Sequence, residues 1–374
     1  MKIQMVNLKD QYLEIKSEID SAIHNVLDKT DFICGDKVFE FANNLSHYIG
    51  SKHCVTCANG TDALQIALMA IDTNPGDEII VPSFTYIATA EVIALLRLVP
   101  VLVDVNYNTF TINADLIERN ITEKTKAIIP VHLYGQSAEM EKILKLAEKY
   151  NLYVIEDNAQ AIGACYKFSN GLKKNTGSLG HIGCTSFYPS KNLGCYGDGG
   201  AMFTDDDKIY EKLKMISNHG QIKKYYHSIV GCNSRLDTLQ AAILDVKLKY
   251  LDDYNLKRIE AAHFYTQNLK TIEEIIVPEE MDYSTHVYHQ YTIKVLNNKR
   301  DELQRYLEGL NIPSMIYYPV SLENQKAFMG IALKRNNLDV SKQLANSVLS
   351  IPMHSELTED QQKHIIRGIQ SFFS

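Results

Sequence analysis

Glu78-Ile-Ile-Val-Pro-Ser-Phe-Thr-Tyr86 opens a stretch that closes with Leu152-Tyr-Val-Ile-Glu-Asp157, and between them apolar runs and helical patterns take turns. The helical pattern TAEVIALLRL (89–98) is followed by the runs VPVLVDV (99–105) and KAIIPVHLYG (126–135), then by the helical pattern AEMEKILKLAEKY (138–150). The short runs are apolar at every position rather than at every second one. That is the mark of strands covered on both faces, so the alternation predicts an α/β fold with a mostly parallel sheet between helices. Ligands of such sheets gather at the carboxyl ends of strands. Tyr86, Asp157 and Gln160 each stand just past such an end and are the first candidates for a site.

Working outward, the opening forty-odd residues read as two amphipathic helices separated by a turn at Asp31–Asp36, and Ala58-Asn-Gly-Thr61 precedes the helix DALQIALMAI (62–71). Residues 161–205 are rich in Gly, Ser, Thr and Tyr and read as short strands with tight turns. From Asp237 to about Leu269 the pattern is one long helix or a bent pair. The strand QYTIKVL (290–296), the helix KRDELQRYLEGL (299–310), the strand IPSMIYY (312–318) and two closing helices make a smaller α+β unit. The expected division is therefore a large unit over 1–250, N-terminal helices included, and a small one over 251–374.

At 374 residues with 45% hydrophobic and 22% charged side chains, the chain can bury a sizeable core. A net charge of −7 and a pI near 6.0 leave no basic surplus for a nucleic-acid partner, though pockets for a phosphate or two remain open. No apolar run of membrane-spanning length occurs, and the charged start lacks the core of a signal peptide. Seven scattered cysteines, with a single C-x-x-C at Cys54 and Cys57, read as free thiols of a reducing cytoplasm. The twelve histidines show no metal-ligand spacing, and no metal is expected. Neither a dinucleotide fingerprint nor a P-loop nor H-E-x-x-H occurs, and Tyr188-Pro-Ser-Lys191 is one residue too short for a short-chain dehydrogenase pair.

What remains is Ser186-Phe-Tyr-Pro-Ser-Lys191-Asn-Leu-Gly-Cys-Tyr-Gly-Asp-Gly-Gly200, a glycine-dense loop with one lysine. Glycine lets backbone approach a ligand closely, and an enclosed amine can have its pKa lowered enough to serve as nucleophile and proton shuttle. A pyridoxal cofactor asks for four services: a lysine to form an imine, a carboxylate to keep the pyridine nitrogen protonated, a phosphate cradle and a flat cover. Lys191, Asp157, the helix start at Gly60-Thr61 with Ser186, and Tyr86 are the respective candidates, and Gln160 is placed to meet the ring hydroxyl.

The run SFYPSKNLGCYGDGG (186–200), with EDNAQ (156–160) before it and NSRLDTLQAAIL (233–244) after it, resembles the DegT/DnrJ/EryC1/StrS family of sugar-nucleotide aminotransferases, and the likeness runs from NLKDQY (7–12) to SIPMH (350–354). The resemblance implies pyridoxal 5′-phosphate, fold type I as in aspartate aminotransferase, and glutamate as amino donor. It further implies a homodimer with shared active sites, in which Asn233 of the neighbouring subunit helps Gly60, Thr61 and Ser186 to hold the phosphate. Such an enzyme is inactive as a monomer. The strings CANGTDALQ (57–65), PVHLYGQSA (130–138) and NHGQ (218–221) are similar to members that aminate UDP-2-acetamido-2-deoxy-3-oxo-glucuronate for bacterial surface polysaccharides such as lipopolysaccharide. There Arg235 of the partner subunit would meet the substrate carboxylate. NSRLD and VKLKYLDDYN (246–255) also resemble members acting on dTDP-3-keto-6-deoxyhexoses. Tyr317-Tyr318-Pro319 stands where the uronate enzymes read His-Tyr-Pro, which makes Tyr317 and Tyr318 substrate candidates and keeps the 6-deoxy sugar open. A regulator that binds the cofactor without turnover is the remaining alternative.

Overall fold

The computed structural model describes residues 3–374. Helices α1 (Leu8–Glu14), α2 (Lys16–Lys29) and α3 (Asp36–Ile49) come first. The first expected helix is thus broken at Ile15, whose N–H turns back to the Tyr12 carbonyl. The alternation then follows as β1 (His53–Cys57), α4 (Gly60–Ala70), β2 (Glu78–Pro82), α5 (Ala88–Leu95), β3 (Val99–Val103), β4 (Thr125–Ile128), α6 (Met140–Tyr150) and β5 (Tyr153–Asp157). A hairpin of β6 (Cys165–Lys167) and β7 (Lys173–Asn175) precedes β8 (Ile182–Ser186) and β9 (Gly200–Thr204). After α7 (Asp207–Ser217) a second hairpin, β10 (Gln221–Lys223) and β11 (Tyr226–His227), leads to a bent helix pair, α8 (Thr238–Leu248) and α9 (Leu251–Leu269). The chain ends with β12 (Ile275–Ile276), β13 (Tyr291–Val295), α10 (Arg300–Gly309), β14 (Leu333–Lys334), α11 (Asp339–Ser347), β15 (Val348–Ile351) and α12 (Glu359–Phe373).

Eight strands form the main sheet in the order β1-β9-β8-β5-β4-β2-β3-β14. From β14 to β8 all pairings are parallel; β9 runs against both β8 and β1, so β1 points the same way as the parallel set. Ile79, Ile80 and Val81 of β2 are wholly buried, each contributing about 1.5–3 kcal/mol against exposure, because helices cover both faces. One apolar cluster joins α4, α5 and α7 to one face, and a second brings α6 onto the other. A separate core gathers α9, α10 and α12 around the three-stranded sheet β12-β13-β15.

Residues 322–341 return from this small sheet to the large one. Leu322 donates its N–H to Ser83 O, and Leu322, Phe328 and Leu338 enter the core beneath β2 and α5. Strand β14 pairs with β3, and the buried carboxylate of Asp104, just past β3, accepts from Val340 N and Ser341 N at 2.9 Å each. Those are first-turn amides of α11, so Asp104 satisfies a helix start from the other side of the molecule. The stretch IPSMIYY, expected as a strand, makes only one isolated bridge, Met315 to Ser350. Pro313 has no N–H to give a ladder, and Tyr317 and Tyr318 turn inward to pack beside Phe84 and Tyr134. All seven cysteines are free, and among the described residues no helix is long and apolar enough to cross a membrane.

Candidate active site

Strands β1, β2, β5 and β8 end on the same edge of the main sheet, and their ends carry Gly60, Tyr86, Asp157 and Ser186 respectively. Asp157 is the last residue of β5 and is 6% exposed. Its Oδ2 accepts from Thr89 Oγ1 at 2.7 Å and its Oδ1 from Ala159 N at 3.2 Å. No helix follows, so it is not a helix cap. The neighbouring Glu156 points to the opposite face, as strand alternation requires. There it is fully buried and accepts from Gly177 N, Leu179 N, Gly180 N and His132 Nε2 at 2.7–2.8 Å. Because His132 Nδ1 accepts from Ala138 N, the ring proton sits on Nε2 and the histidine is a neutral donor. Glu156 is a structural knot, and Asp157 is the carboxylate left facing the sheet edge.

Helix α4 starts at Gly60, with Asn59 as its cap: Asn59 Oδ1 accepts from Asp62 N at 2.8 Å. That leaves the Gly60 and Thr61 amides as free donors at a helix N-terminus. A Cβ on Gly60 would lie 2.6 Å from Ser186 Cβ, so only glycine lets this turn lie against Ser186. The two amides and the Ser186 hydroxyl therefore converge into a cradle of anion-binding chemistry.

Lys191 sits in the loop between β8 and β9, its backbone N–H bonded to Tyr188 O at 2.8 Å. Its ammonium has no ion pair and no side-chain hydrogen bond among the described residues. Burial pulls its pKa down to about 8, against the opposing pull of the Asp157 carboxylate. His289 is buried with its Nδ1 unpartnered, and burial together with the nearby Lys191 and Arg258 charges holds it well below the usual histidine range.

Aromatic side chains form the mouth. Tyr86 is 55% exposed, and its ring lies 6.1 Å from that of Tyr318, which in turn contacts Tyr317 at 5.9 Å. Gln160 donates from Nε2 to the Tyr318 hydroxyl at 3.1 Å and accepts on Oε1 from Tyr134 N at 2.8 Å, leaving one amide hydrogen uncommitted. Asn233 is exposed and Arg235 is half-buried, with Nη1 donating to Asn218 Oδ1 at 3.3 Å. Their segment is tied to the start of the site through Ser234 Oγ, which accepts from Ala58 N, yet neither side chain contacts Lys191 or Asp157 within one chain. Thr89 and His289 were not anticipated. A threonine in TAEV reads as an ordinary helix residue, and only the fold brings it onto Asp157.

A family model of DegT/DnrJ/EryC1/StrS aminotransferases matches residues 13–370. The chain belongs to this family. It is 44% identical over 355 residues to the UDP-2-acetamido-2-deoxy-3-oxo-D-glucuronate aminotransferase of Pseudomonas aeruginosa, covering 95% of this chain and 96% of that one. It is also 44% identical to a pleiotropic regulatory protein of Geobacillus stearothermophilus, over 100% and 99% of the two chains. To the dTDP-3-amino-3,6-dideoxy-alpha-D-galactopyranose transaminase of Aneurinibacillus thermoaerophilus it is 41% identical, over 99% of each. The solved structure of NtdA from Bacillus subtilis with bound cofactor PMP superposes with a TM-score of 0.89 at 32% identity, covering 96% of this chain and 82% of that one. The DegT/DnrJ/EryC1/StrS chain described here is thus an aminotransferase of fold type I, the large mostly parallel sheet being its scaffold.

Proposed function

We propose that this aminotransferase uses pyridoxal 5′-phosphate to convert a nucleotide-linked 3-keto sugar to the 3-amino sugar, with glutamate as donor. One observation carries the reading: a half-buried, unpaired lysine and an outward carboxylate lie at the same sheet edge as a glycine–serine cradle. The residues fit the cofactor, since the cradle takes a phosphate and the unpaired amine of Lys191 is free to be its covalent anchor. When bound, pyridoxal phosphate supplies an electron sink that lets a carbon next to nitrogen lose a proton. Gly60, Thr61 and Ser186 bind the phosphate. Asp157, oriented by Thr89, keeps the pyridine nitrogen protonated, and Gln160 offers its spare amide hydrogen to the ring hydroxyl. Tyr86 covers the ring. Lys191 would anchor the cofactor and, as a free amine, would take up and return the proton that the chemistry displaces.

The neutral amine is the reactive form, so pH sets the rate of cofactor uptake. Below about pH 8 Lys191 is mainly ammonium, and above it mainly free amine. Uptake by the apoprotein, followed by the rise of visible absorbance, is expected to accelerate through a midpoint near 8. A midpoint near the ordinary lysine value of about 10.5 would show that Lys191 is not the desolvated group assigned here.

The acceptor is read first as UDP-2-acetamido-2-deoxy-3-oxo-glucuronate, on the strength of the 44% identical relative and of Arg235, whose guanidinium spends one donor on Asn218. A dTDP-3-keto-6-deoxyhexose is the second reading. Tyr317 in place of a cationic ring and the 41% identical relative favour it. The dimer belongs to the same proposal. Phe39, Ile222, Tyr225, Tyr226 and Val230 are 59–85% exposed, an apolar display that a second copy would cover. It would bring Asn233 and Arg235 of the partner subunit to the Lys191 site. We place the enzyme in the cytoplasm, supplying a surface polysaccharide.

Adding the candidate amino-sugar nucleotides to the yellow holoenzyme and following loss of its visible band separates the readings. Bleaching by UDP-2-acetamido-3-amino-glucuronate alone supports the uronate, and bleaching by a dTDP-3-amino-6-deoxyhexose alone transfers the proposal to the 6-deoxy sugar. A protein that binds the cofactor but bleaches with no amino compound is a regulator, as the 44% identical regulatory relative suggests, and ends the enzymatic reading.

A further inference from the structure

We propose that Lys247 is a positioning residue for Lys191, the middle rung of a polar ladder by which the bent helix pair clamps the lysine loop. This rests on the assignment of Lys191 above. Lys247 lies on α8 and is 1% exposed, without a carboxylate in ion-pairing range. A leucine or methionine would fill the same space at far lower desolvation cost, so the amine calls for a reason. Its one hydrogen bond supplies that reason: Nζ donates to Gly194 O at 2.5 Å, three residues beyond Lys191.

The rungs on either side follow the same logic. Seven residues before Lys247, Gln240 accepts on Oε1 from Tyr196 N at 2.8 Å and donates from Nε2 to Tyr196 O at 3.3 Å. Eight residues after it, on α9, Asn255 accepts from Asn192 Nδ2 at 2.7 Å, while its own Nδ2 donates to Ile162 O. Seven residues make about two helical turns, so Gln240 and Lys247 share one face of α8, and Asn255 joins them from α9 beyond the bend. They meet loop residues 196, 194 and 192 in reverse order, every second residue.

Between β8 and β9 the loop's own backbone–backbone bonds are Phe187 N to Gly199 O, Lys191 N to Tyr188 O and Cys195 N to Phe187 O; Tyr188 N also donates to Ser186 Oγ, Cys195 Sγ to Phe187 O and Gly197 O, and Asn192 Nδ2 to Val287 O. Gly194 doubles back so closely that a Cβ there would lie 2.4 Å from Pro189 O. A loop of such shape has many alternatives in conformational space, and holding three alternate residues from below removes them. The direction in which Lys191 leaves the backbone is set by this clamp, and with it the partial burial of its amine. Burial pulls the Lys247 ammonium down to about 8, with Arg258 adding to that pull and Cys195 and Glu356 opposing it.

The test compares Lys247→Met with Lys294→Met in the full chain. Lys294 is a second buried lysine, on β13, donating to Tyr107 O away from the loop. Hydrogen exchange without cofactor is expected to quicken about tenfold or more at residues 192–196 in Lys247→Met while the amides of β2 to β5 hold their rates. The pH midpoint of pyridoxal phosphate uptake should rise by about half a unit or more as water reaches Lys191. Lys294→Met should change neither. Unchanged exchange at 192–196 overturns the proposal. If Lys247→Met does not fold, Gln240→Leu breaks the adjacent rung and decides by the same loop exchange, faster supporting the clamp and unchanged refuting it. Loosening of the loop in a protein that takes up no pyridoxal phosphate leaves the clamp standing and removes the cofactor assignment instead.

Discussion

Lys191→Ala is expected to abolish transamination while leaving the apoprotein at least as stable as the parent. The loss follows from removing both the covalent anchor and the proton carrier, two functions with no substitute nearby, and turnover should fall by about four orders of magnitude or more. The stability expectation comes from the same burial. In the unfolded chain Lys191 titrates near its ordinary 10.5, and in the folded protein near 8. The unfolded state therefore binds the proton more tightly, so stability rises with pH between these values and the full penalty is present below 8. At pH 7 that penalty is about 3 kcal/mol at most, offset in the variant by lost packing of the lysine stem. Thermal melting of the two apoproteins should show the alanine variant level with or above the parent at pH 7, the gap closing towards pH 10. A variant that melts well below the parent at pH 7 would show that Lys191 supports the fold rather than spending stability on chemistry.

Asp157→Asn is expected to keep the cofactor and lose the reaction. The amide retains an oxygen for Ala159 N or for the Thr89 hydroxyl, and the backbone of β5 keeps its bonds to Pro130 and His132. Binding and fold should persist. What disappears is the negative charge that would keep a bound pyridine nitrogen protonated, and with it the electron-withdrawing power the cofactor would supply. A deficit of about 4 kcal/mol in the barrier corresponds to roughly a thousandfold in turnover. Stopped-flow half-reactions with glutamate would measure it. Near-normal rates would move the role to another group, and the enclosed Glu156 is ruled out by its four donors.

The parallel sheet was legible because its strands are short apolar runs such as EIIVP, too brief for an ordinary helix and alternating with longer helical patterns. Tyr86, Asp157 and Gln160 could be read as candidates because each stands just past a strand end, and the structure sets the ends of β2, β5 and β8 on one edge, which brings Ser186, read only from its glycine-dense loop, beside Tyr86 and Asp157. What stayed hidden depends on contacts far apart in sequence. Strand β14 is two residues long and exposed, so neither period nor composition announces it. IPSMIYY has the composition of a strand, but Pro313 and the inward packing of its tyrosines override that preference. Lys247 and Lys249 look alike in VKLKYL, yet only Lys247 is buried, because the helix face that meets the lysine loop is set by the loop.

The return of residues 322–341 to the main sheet has a consequence for how the protein is made. Asp104 meets Ser341, its partner 237 positions later, and the edge strand beside β3 arrives only with residues 333–334. A ribosome will have delivered nearly the whole polypeptide before that side of the sheet can close. Until then β3 is an open edge with an unsatisfied carboxylate at its tip, a surface that invites chaperones or wrong neighbours. Truncation before about residue 341 should therefore yield not a smaller soluble enzyme but a nascent chain held in an unfinished state.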